Sequence, residues 1–149
     1  MKIFYQALLL LPFAAYAACD LSLNANGEYL VGSFEDLSKV GVDDCALDAK
    51  YRLTADISAL PSDDEWHGFP PIGGFDSPSG FSGEFHGAGH KIVNLKLYND
   101  SFEGLFGRSM NGLVDSLGLE NIFLNGGGYT GAVVGYGGSG TIRNVYVTG

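Results

Sequence analysis

One pattern of aliphatic residues recurs three times in the C-terminal half of the chain, and it limits the possible folds more than any other feature. Each copy reads aliphatic, variable, Asn or Ser, aliphatic, variable, aliphatic, and the copies lie at residues 92–97, 114–119 and 142–147. Their first residues are 22 and 28 positions apart, a spacing too short for an independent hydrophobic core. Units of this size bury their apolar faces by stacking on each other, so the pattern predicts a repeat fold.

The glycines and the alternation within each copy indicate that the stacked units are strands. Twenty of the 23 glycines lie in residues 66–149, where they interrupt every run that could form a helix. In each copy the last two aliphatic residues are two positions apart, which places them on one face of a strand. Strands that repeat in one direction at this spacing form a β-solenoid. We therefore predict an all-β fold, a right-handed parallel β-helix (β-solenoid) with an N-terminal cap containing one short helix.

Aligning the three copies predicts which residues stack on one another. The interior column is Ile92, Val114 and Ile142, and the turn column, where side chains hydrogen-bond along the stack, is Asn94, Ser116 and Asn144. The outward column is Val93, Asp115 and Arg143, with Asp115 beside Arg143. The full predicted repeat core is Ile92, Leu95, Leu97, Val114, Leu117, Leu119, Ile142, Val145 and Val147.

The N-terminal residues have the features of a secretory signal peptide, predicted to be residues 1–18. Lys2 precedes an apolar run that ends at the cleavage-site pattern Ala15-Tyr16-Ala17. The run is shorter than the ~20 apolar residues that span a bilayer, and it contains Pro12, so we predict no transmembrane segment in the mature chain. Residues 19–63 are predicted to form the cap, with a helix near 33–40 and Ser33 as its N-cap. Residues 64–149 are predicted to form the solenoid rungs.

The two cysteines, Cys19 and Cys45, have two interpretations. In an exported protein an even number of cysteines favours a disulfide, and only one pairing exists here. The alternative is that Cys19, which follows Ala17-Ala18, is the lipid-modified first residue of a lipoprotein. Cys45 would then have no partner.

Charge and motifs argue against several classes of function. The formal net charge of −9 argues against nucleic acid or an anionic membrane as a partner. Two G-x-G-x-x-G strings, at residues 126–131 and 135–140, precede strand-like residues and not the helix that a dinucleotide site requires. His86 and His90 lie among glycines that disfavour the helix needed to align them on a metal. We therefore predict no catalytic residues, no cofactor and no metal.

Several stretches resemble the GLUG repeat of bacterial exported surface proteins. The motif E-G-L-F-G at residues 103–107, residues 113–119, and G-A-V-V-G at residues 131–135 leading into 140–149 carry the resemblance, with 81–92 as the family's lead-in. It covers about residues 28–149, with two repeat copies at about 102–126 and 129–149. His86 and Ala88 depart from the usual Asp and Asn of the lead-in. The family includes adhesins of the filamentous-haemagglutinin kind and flanking regions of IgA-protease-type proteins, so the resemblance implies a secreted or cell-surface β-helical module.

We therefore expect a non-enzymatic exported module that binds a protein or glycan ligand as part of an adhesive surface. An alternative from another class is a β-helical polysaccharide lyase or hydrolase, which would need acidic or basic groups clustered on one rung face. A third interpretation is that the chain is the N-terminal part of a longer protein. Made alone, the chain would expose Ile142, Val145 and Val147 of its last rung, and we expect it to self-associate there.

Overall fold

The structure, a computed structural model, describes residues 18–59, 68–99 and 101–149. The predicted signal peptide lies outside these residues apart from Ala18. The elements are β1 (Glu28–Val31), α1 (Phe34–Lys39), β2 (Lys50–Leu53), β3 (Ile57–Ser58), β4 (Glu84–His86), β5 (Lys91–Val93), β6 (Lys96–Asn99), β7 (Phe102–Glu103), β8 (Phe106–Ser109), β9 (Leu113–Asp115), β10 (Gly118–Glu120), β11 (Phe123–Gly126), β12 (Tyr129–Thr130), β13 (Val134–Gly137), β14 (Thr141–Arg143) and β15 (Tyr146–Val147). An all-β architecture with one short helix is thereby confirmed.

The described strands pair in parallel, and each pair joins strands that are distant in sequence. One sheet has the order β1-β2-β4-β9-β14 and a second has the order β15-β10-β5-β3. Three two-stranded sheets, β6 with β11, β7 with β12 and β8 with β13, complete the arrangement. The described residues therefore form stacked layers, which we number 1 to 5: residues 28–31; 50–59 with 68–81; 84–99 with 101–109; 113–137; and 141–147. Each strand pairs with the equivalent strand of the next layer.

The register shows that the predicted interior column is wrong for Ile92. Ile92 pairs with Ile57 and Leu119, whereas Val114 pairs with Phe85 and Ile142. Two interior columns therefore exist where the sequence alignment gave one.

The error arises because layer 4 contains the aliphatic pattern at two corners. Residues 119–124 (L-E-N-I-F-L) are a further copy of the aliphatic pattern, and they align with residues 92–97. The copy at 114–119 aligns instead with 142–147. The 22-residue step from 92 to 114 thus joins the second corner of one layer to the first corner of the next.

The predicted turn column is wrong for the same reason, and it divides into two columns. Asn94 stacks with Asn121, whose Nδ2 donates to Asn94 Oδ1 at 2.6 Å, and Ser116 lies beside Asn144. All four residues have φ between 52° and 61°, a left-handed conformation that Asn adopts more readily than most residues. In the outward column Asp115 does lie beside Arg143, but His86 occupies the place predicted for Val93.

The hydrophobic core lies between the sheets and is formed by the inward residues of layers 1 to 4, together with Leu37 and Val40 at the helix and the Cys19–Cys45 pair. Six predicted core residues are at most 1% exposed: Ile92, Leu95, Leu97, Val114, Leu117 and Leu119. The other three belong to layer 5, where Val145 is partly buried, Ile142 is 52% exposed and Val147 is 45% exposed. Layer 5 buries its side chains less because a neighbouring layer covers it on one side only.

The N-terminal residues are held by a capped helix and a disulfide. Ser33 is the N-cap of α1, and its Oγ accepts a hydrogen bond from the Asp36 backbone N–H at 3.1 Å. Asp36 in turn accepts from the Gly32 backbone N–H, so two donors at the helix start are satisfied. Cys19 and Cys45 form the predicted disulfide. Since that bond uses the Cys19 sulfur, the structure favours the disulfide interpretation over lipid modification.

The buried inward positions make the stability of each layer depend on its neighbours. Leu117 is 1% exposed, so we expect Leu117→Ala to lower the free energy of unfolding by about 2–5 kcal/mol. Leu23→Ala is the matched control because Leu23 is 59% exposed, and its effect should stay within about 0.5 kcal/mol. Urea denaturation of both variants measures this, and equal losses would contradict the assignment of inward and outward positions.

A pH-dependent contribution to stability is expected from Asp115. Hydrogen bonds from Arg143 and then from Ser116 lower the pKa of Asp115 from 3.8 to about 2. A lowered pKa in the folded state stabilises the fold above the unfolded value, and this contribution is lost as the pH falls towards 2. The difference in Tm between wild type and Asp115→Asn should therefore be constant above pH 5 or so and shrink below pH 4. Asp44→Asn, at an exposed carboxylate, is the control, and a difference that persists unchanged at pH 2 would contradict the account.

Candidate ligand-binding cleft

Four outward side chains of layers 3 and 4 form an aromatic cluster with one cation at its centre. They are Phe102 on β7, Arg108 on β8, Tyr129 on β12 and Tyr136 on β13. The Phe102 and Tyr129 rings are nearly parallel, with centroids 5.5 Å apart and an interplanar angle of 5°. Tyr136 stands edge-on to both, with centroid distances of 5.9 Å and 5.0 Å. We call the hollow between these four side chains the aromatic cleft.

The parallel register explains why the four side chains meet. Tyr129 pairs with Phe102 and Tyr136 pairs with Arg108, so each layer contributes one side chain to each of two columns. Between β7 and β8 the chain turns inward through Leu105 and Phe106, which are fully buried. Phe102, which precedes this inward turn, and Arg108, which follows it, therefore project outward on the same side.

Glycines allow the two columns to stand next to each other. A Cβ on Gly135 would lie 2.6 Å from Glu103 O and 2.8 Å from Tyr129 O, distances that real Cβ atoms essentially never show. A Cβ on Gly107 would lie 3.0 Å from Phe102 O. At these places the backbone passes so close to itself that a methyl group does not fit. The cleft therefore depends on the glycines of the two G-x-x-G-like turns.

Arg108 lies against the aromatic rings and beside a proline-containing loop. Its Cζ is 4.6 Å from the Phe102 ring centroid and 5.7 Å from that of Tyr136, within range for a cation–π interaction. Nη1 donates to the backbone oxygen of Pro78 at 2.7 Å and, at 3.4 Å, to that of Ser77. Nε is buried without a hydrogen-bond partner. Arg108 thus holds the loop on layer 2 against the rings of layers 3 and 4.

The aromatic cleft has a volume of about 350 Å³ and is open to solvent. Pro78 and Met110 complete its lining, and Tyr129 and Tyr136 are 56% and 39% exposed. Phe75, which is 72% exposed, extends the aromatic surface onto layer 2, with its ring 6.5 Å from that of Phe102. Phe75, Phe102 and Tyr129 therefore form a row that crosses three successive layers.

Other hollows are less suited to hold an organic ligand. A space of about 270 Å³ beside β14 is lined by glycines, aliphatic residues, Ser109 and Thr141, with no aromatic or charged group among its described lining residues. A larger hollow of about 570 Å³ adjoins the aromatic cleft at Pro78 and includes Phe75. We treat this larger hollow as a continuation of the same surface.

His86 and His90, which were considered as metal ligands from the sequence, lie outside the aromatic cleft, and each is near a carboxylate. His86 Nε2 is 2.9 Å from Glu84 Oε2, and His90 Nδ1 is 3.2 Å from Asp56 Oδ1. The two G-x-G-x-x-G strings lead into β13 and β14, so neither is followed by a helix. The glycines of these strings are not confined to turns, because Gly126, Gly135 and Gly137 lie within strands. Within the described ranges, no group of three or more His, Cys, Asp or Glu residues could hold a metal ion.

The sequence interpretation missed the aromatic cleft altogether. The available signal was the placement of large side chains around the glycine pairs: Phe102 and Arg108 around Gly104 and Gly107, and Tyr129 and Tyr136 around Gly131 and Gly135. These outward positions lie outside the aliphatic pattern that set the alignment. Only the register of β7 with β12 and β8 with β13 shows that they meet.

The chain is similar to one curated protein, halomucin of Haloquadratum walsbyi (strain DSM 16790 / HBSQ001). The two are 36% identical over an alignment of 129 residues, and the alignment covers 81% of this chain and 1% of halomucin. The chain therefore spans a very small part of that relative. No protein-family model matches the chain, and no solved structure matches it. Across the described ranges no helix is long and apolar enough to cross a membrane.

Proposed function

We propose that this chain is a non-enzymatic β-solenoid module of an exported surface or secreted protein and that it binds carbohydrate in the aromatic cleft. The observation that carries the proposal is the parallel pair of half-buried Phe102 and exposed Tyr129, with Tyr136 standing perpendicular to it. We further propose that the stacked layers close into a right-handed solenoid. The parallel pairing throughout the named strands supports this, because parallel strands joined by crossovers are right-handed in nearly all proteins.

Carbohydrate suits this cleft because of the shape and polarity of its lining. The C–H groups on one face of a sugar ring carry partial positive charge and pack against the negative face of an aromatic ring. Tyr129 and Tyr136 also have hydroxyl groups that can exchange hydrogen bonds with those of a sugar. Tyrosine rings lose little conformational entropy on binding, which makes them effective contact residues. A row of rings crossing three layers suits a chain of several sugars.

Two features support an exported location for the module. The Cys19–Cys45 disulfide is typical of proteins that fold in an oxidising compartment. The name halomucin indicates an extracellular or cell-surface protein, and the matched region covers most of this chain. We also propose that residues 1–18 are a cleaved signal peptide and that the chain is related to the GLUG-repeat proteins.

Binding without catalysis is the form of the proposal that the cleft supports best. Glycoside hydrolysis needs two carboxylates on either side of the scissile bond. The described lining of the aromatic cleft holds none, and the adjoining hollow adds one, Asp76. The nearest acid along β7, Glu103, is fully buried on the opposite face. Its Oε1 accepts a hydrogen bond from the Asn125 backbone N–H at 2.7 Å. Glu103 therefore faces the interior of the layers and cannot reach a ligand in the cleft.

The proposal is tested by a glycan array and a panel of matrix proteins, followed by titration calorimetry with the best ligand. We expect carbohydrate to bind and Tyr129→Ala to weaken binding roughly tenfold, because it removes half of the stacked pair. Phe123→Ala is the matched control, since Phe123 is an equally exposed aromatic residue outside the cleft, at 57% against 56%.

Three results would overturn the proposal in different ways. Equal loss in both variants, or binding to proteins alone, would refute the carbohydrate site. Release of reducing sugar that is abolished by substitution of a single described acidic residue would favour the lyase or hydrolase alternative.

A further inference from the structure

We infer that the carbohydrate bound in the aromatic cleft is acidic and that its anionic group is recognised by Arg108. The inference rests on the proposed function and specifies its ligand. It follows from the charge, the contacts and the environment of this one side chain.

Among the described basic residues, Arg108 is the one that is half-buried and forms no ion pair with a described acidic side chain. Five of the seven described lysines and arginines lie within 4.0 Å of a carboxylate: Lys39, Lys50, Arg52, Lys91 and Arg143. Of the two others in the described part of the chain, Lys96 is exposed to solvent and Arg108 is half-buried. Seventeen acidic residues are available in this chain, so an unpaired, half-buried guanidinium requires an explanation.

The contacts of Arg108 position its charge and leave it uncompensated. Removing a cation from water is costly unless an anion or hydrogen-bond acceptors replace the water. The carbonyl groups of Pro78 and Ser77 bind Nη1, and the aromatic rings attract the cation, but Nε has no acceptor. Nη1 is already bonded and Nε is buried, so Nη2 is the nitrogen atom of Arg108 that is left for a ligand. An anionic group on a sugar stacked at Phe102 and Tyr129 would complete the site.

The net charge of the protein makes such recognition local. At −9 the chain repels an anionic polysaccharide at long range, so a diffuse electrostatic attraction is absent. Repulsion between exposed charges is screened by salt within a Debye length of about 10 Å at 0.1 M, whereas a partly buried ion pair is screened much less. Added salt should therefore leave the affinity unchanged or increase it. A protein that binds polyanions through an exposed basic patch would show the opposite dependence.

The test compares ligands that have the same shape and differ in charge. A trisaccharide of galacturonic acid and its methyl ester are titrated into the full chain, together with a neutral trisaccharide and its sulfated form. We expect the acid to bind at least tenfold more tightly than the ester, with no loss of affinity between 50 and 300 mM salt, roughly the range over which the Debye length falls below 10 Å. The sulfated arm distinguishes a sulfate ester from a carboxylate as the recognised group, and preference for either one supports the inference.

Two matched substitutions remove one positive charge each. Arg108→Gln should bring the ratio of acid to ester affinity to about one, whereas Lys96→Gln should leave that ratio at its wild-type value. If Arg108→Gln disturbs the loop at Pro78, seen as a changed near-UV circular dichroism spectrum, Arg108→Lys tests the same charge and should retain part of the preference.

The failure of the inference is distinguishable from failure of the proposed function. Equal binding within both ligand pairs by the wild type, acid against ester and sulfated against neutral, with Tyr129→Ala still weakening binding, would overturn the acidic ligand and leave the carbohydrate site intact. If no arm binds at all, both the site and its ligand class are refuted. A preference for the acid that Lys96→Gln removes as effectively as Arg108→Gln would also overturn the inference.

Discussion

The close passage of the backbone past itself at the glycines of layers 3 and 4 is the constraint on which the rest of this structure depends. At Gly104, Gly107, Gly131 and Gly135 a side chain would come within 3.0 Å of other atoms, in most cases of the backbone. Only residues without a Cβ let the chain enter the interior, place two large aliphatic or aromatic side chains there and return within a few residues. The bulky residues on either side of each turn are thereby brought together at the surface.

Parallel stacking of the layers then builds a binding surface from the side chains on either side of each glycine turn. Neighbouring parallel strands are about 4.8 Å apart, so identical outward positions in successive layers lie at stacking distance for aromatic rings. The 5.5 Å separation of the Phe102 and Tyr129 rings follows directly from their paired register. The surface of such a fold is thus set by which side chain each layer places at a given outward position. Inward positions remain occupied by buried aliphatic residues whatever the outward ones are.

The sequence predicts local features of this chain well and the alignment of its layers poorly. The helix near Ser33 and the Cys19–Cys45 bond were predictable because a cap and a lone cysteine pair leave few alternatives. The strand character of residues 92–97, 114–119 and 142–147 followed from alternation. Their register did not, because layer 4 contains the six-residue pattern at two corners, 114–119 and 119–124, and the single copies in layers 3 and 5 align with different ones of these two. Asn121 was the missing clue, since it pairs with Asn94.

The aromatic cleft could not be found by periodicity because its residues come from four separate strands. Phe102 and Tyr136 are 34 positions apart in the sequence, and neither belongs to an aliphatic run. Composition also gave no warning, since exposed aromatic residues occur elsewhere, as at Tyr98 and Phe123. What distinguishes the cleft is convergence, which depends on the glycine turns and on the register together.

A pair of glycine substitutions two residues apart tests this dependence most directly. A Cβ at position 135 meets Glu103 O at 2.6 Å, whereas at position 137 its nearest neighbour is a Val134 methyl carbon at 3.5 Å, an ordinary contact. Near-UV circular dichroism of Gly135→Ala should lose the signal of the packed tyrosines, and its unfolding midpoint in urea should fall well below that of the wild type. Gly137→Ala should retain both the spectrum and the midpoint. Identical spectra and midpoints for the two variants would contradict the claim that close backbone approach at these glycines builds the cleft.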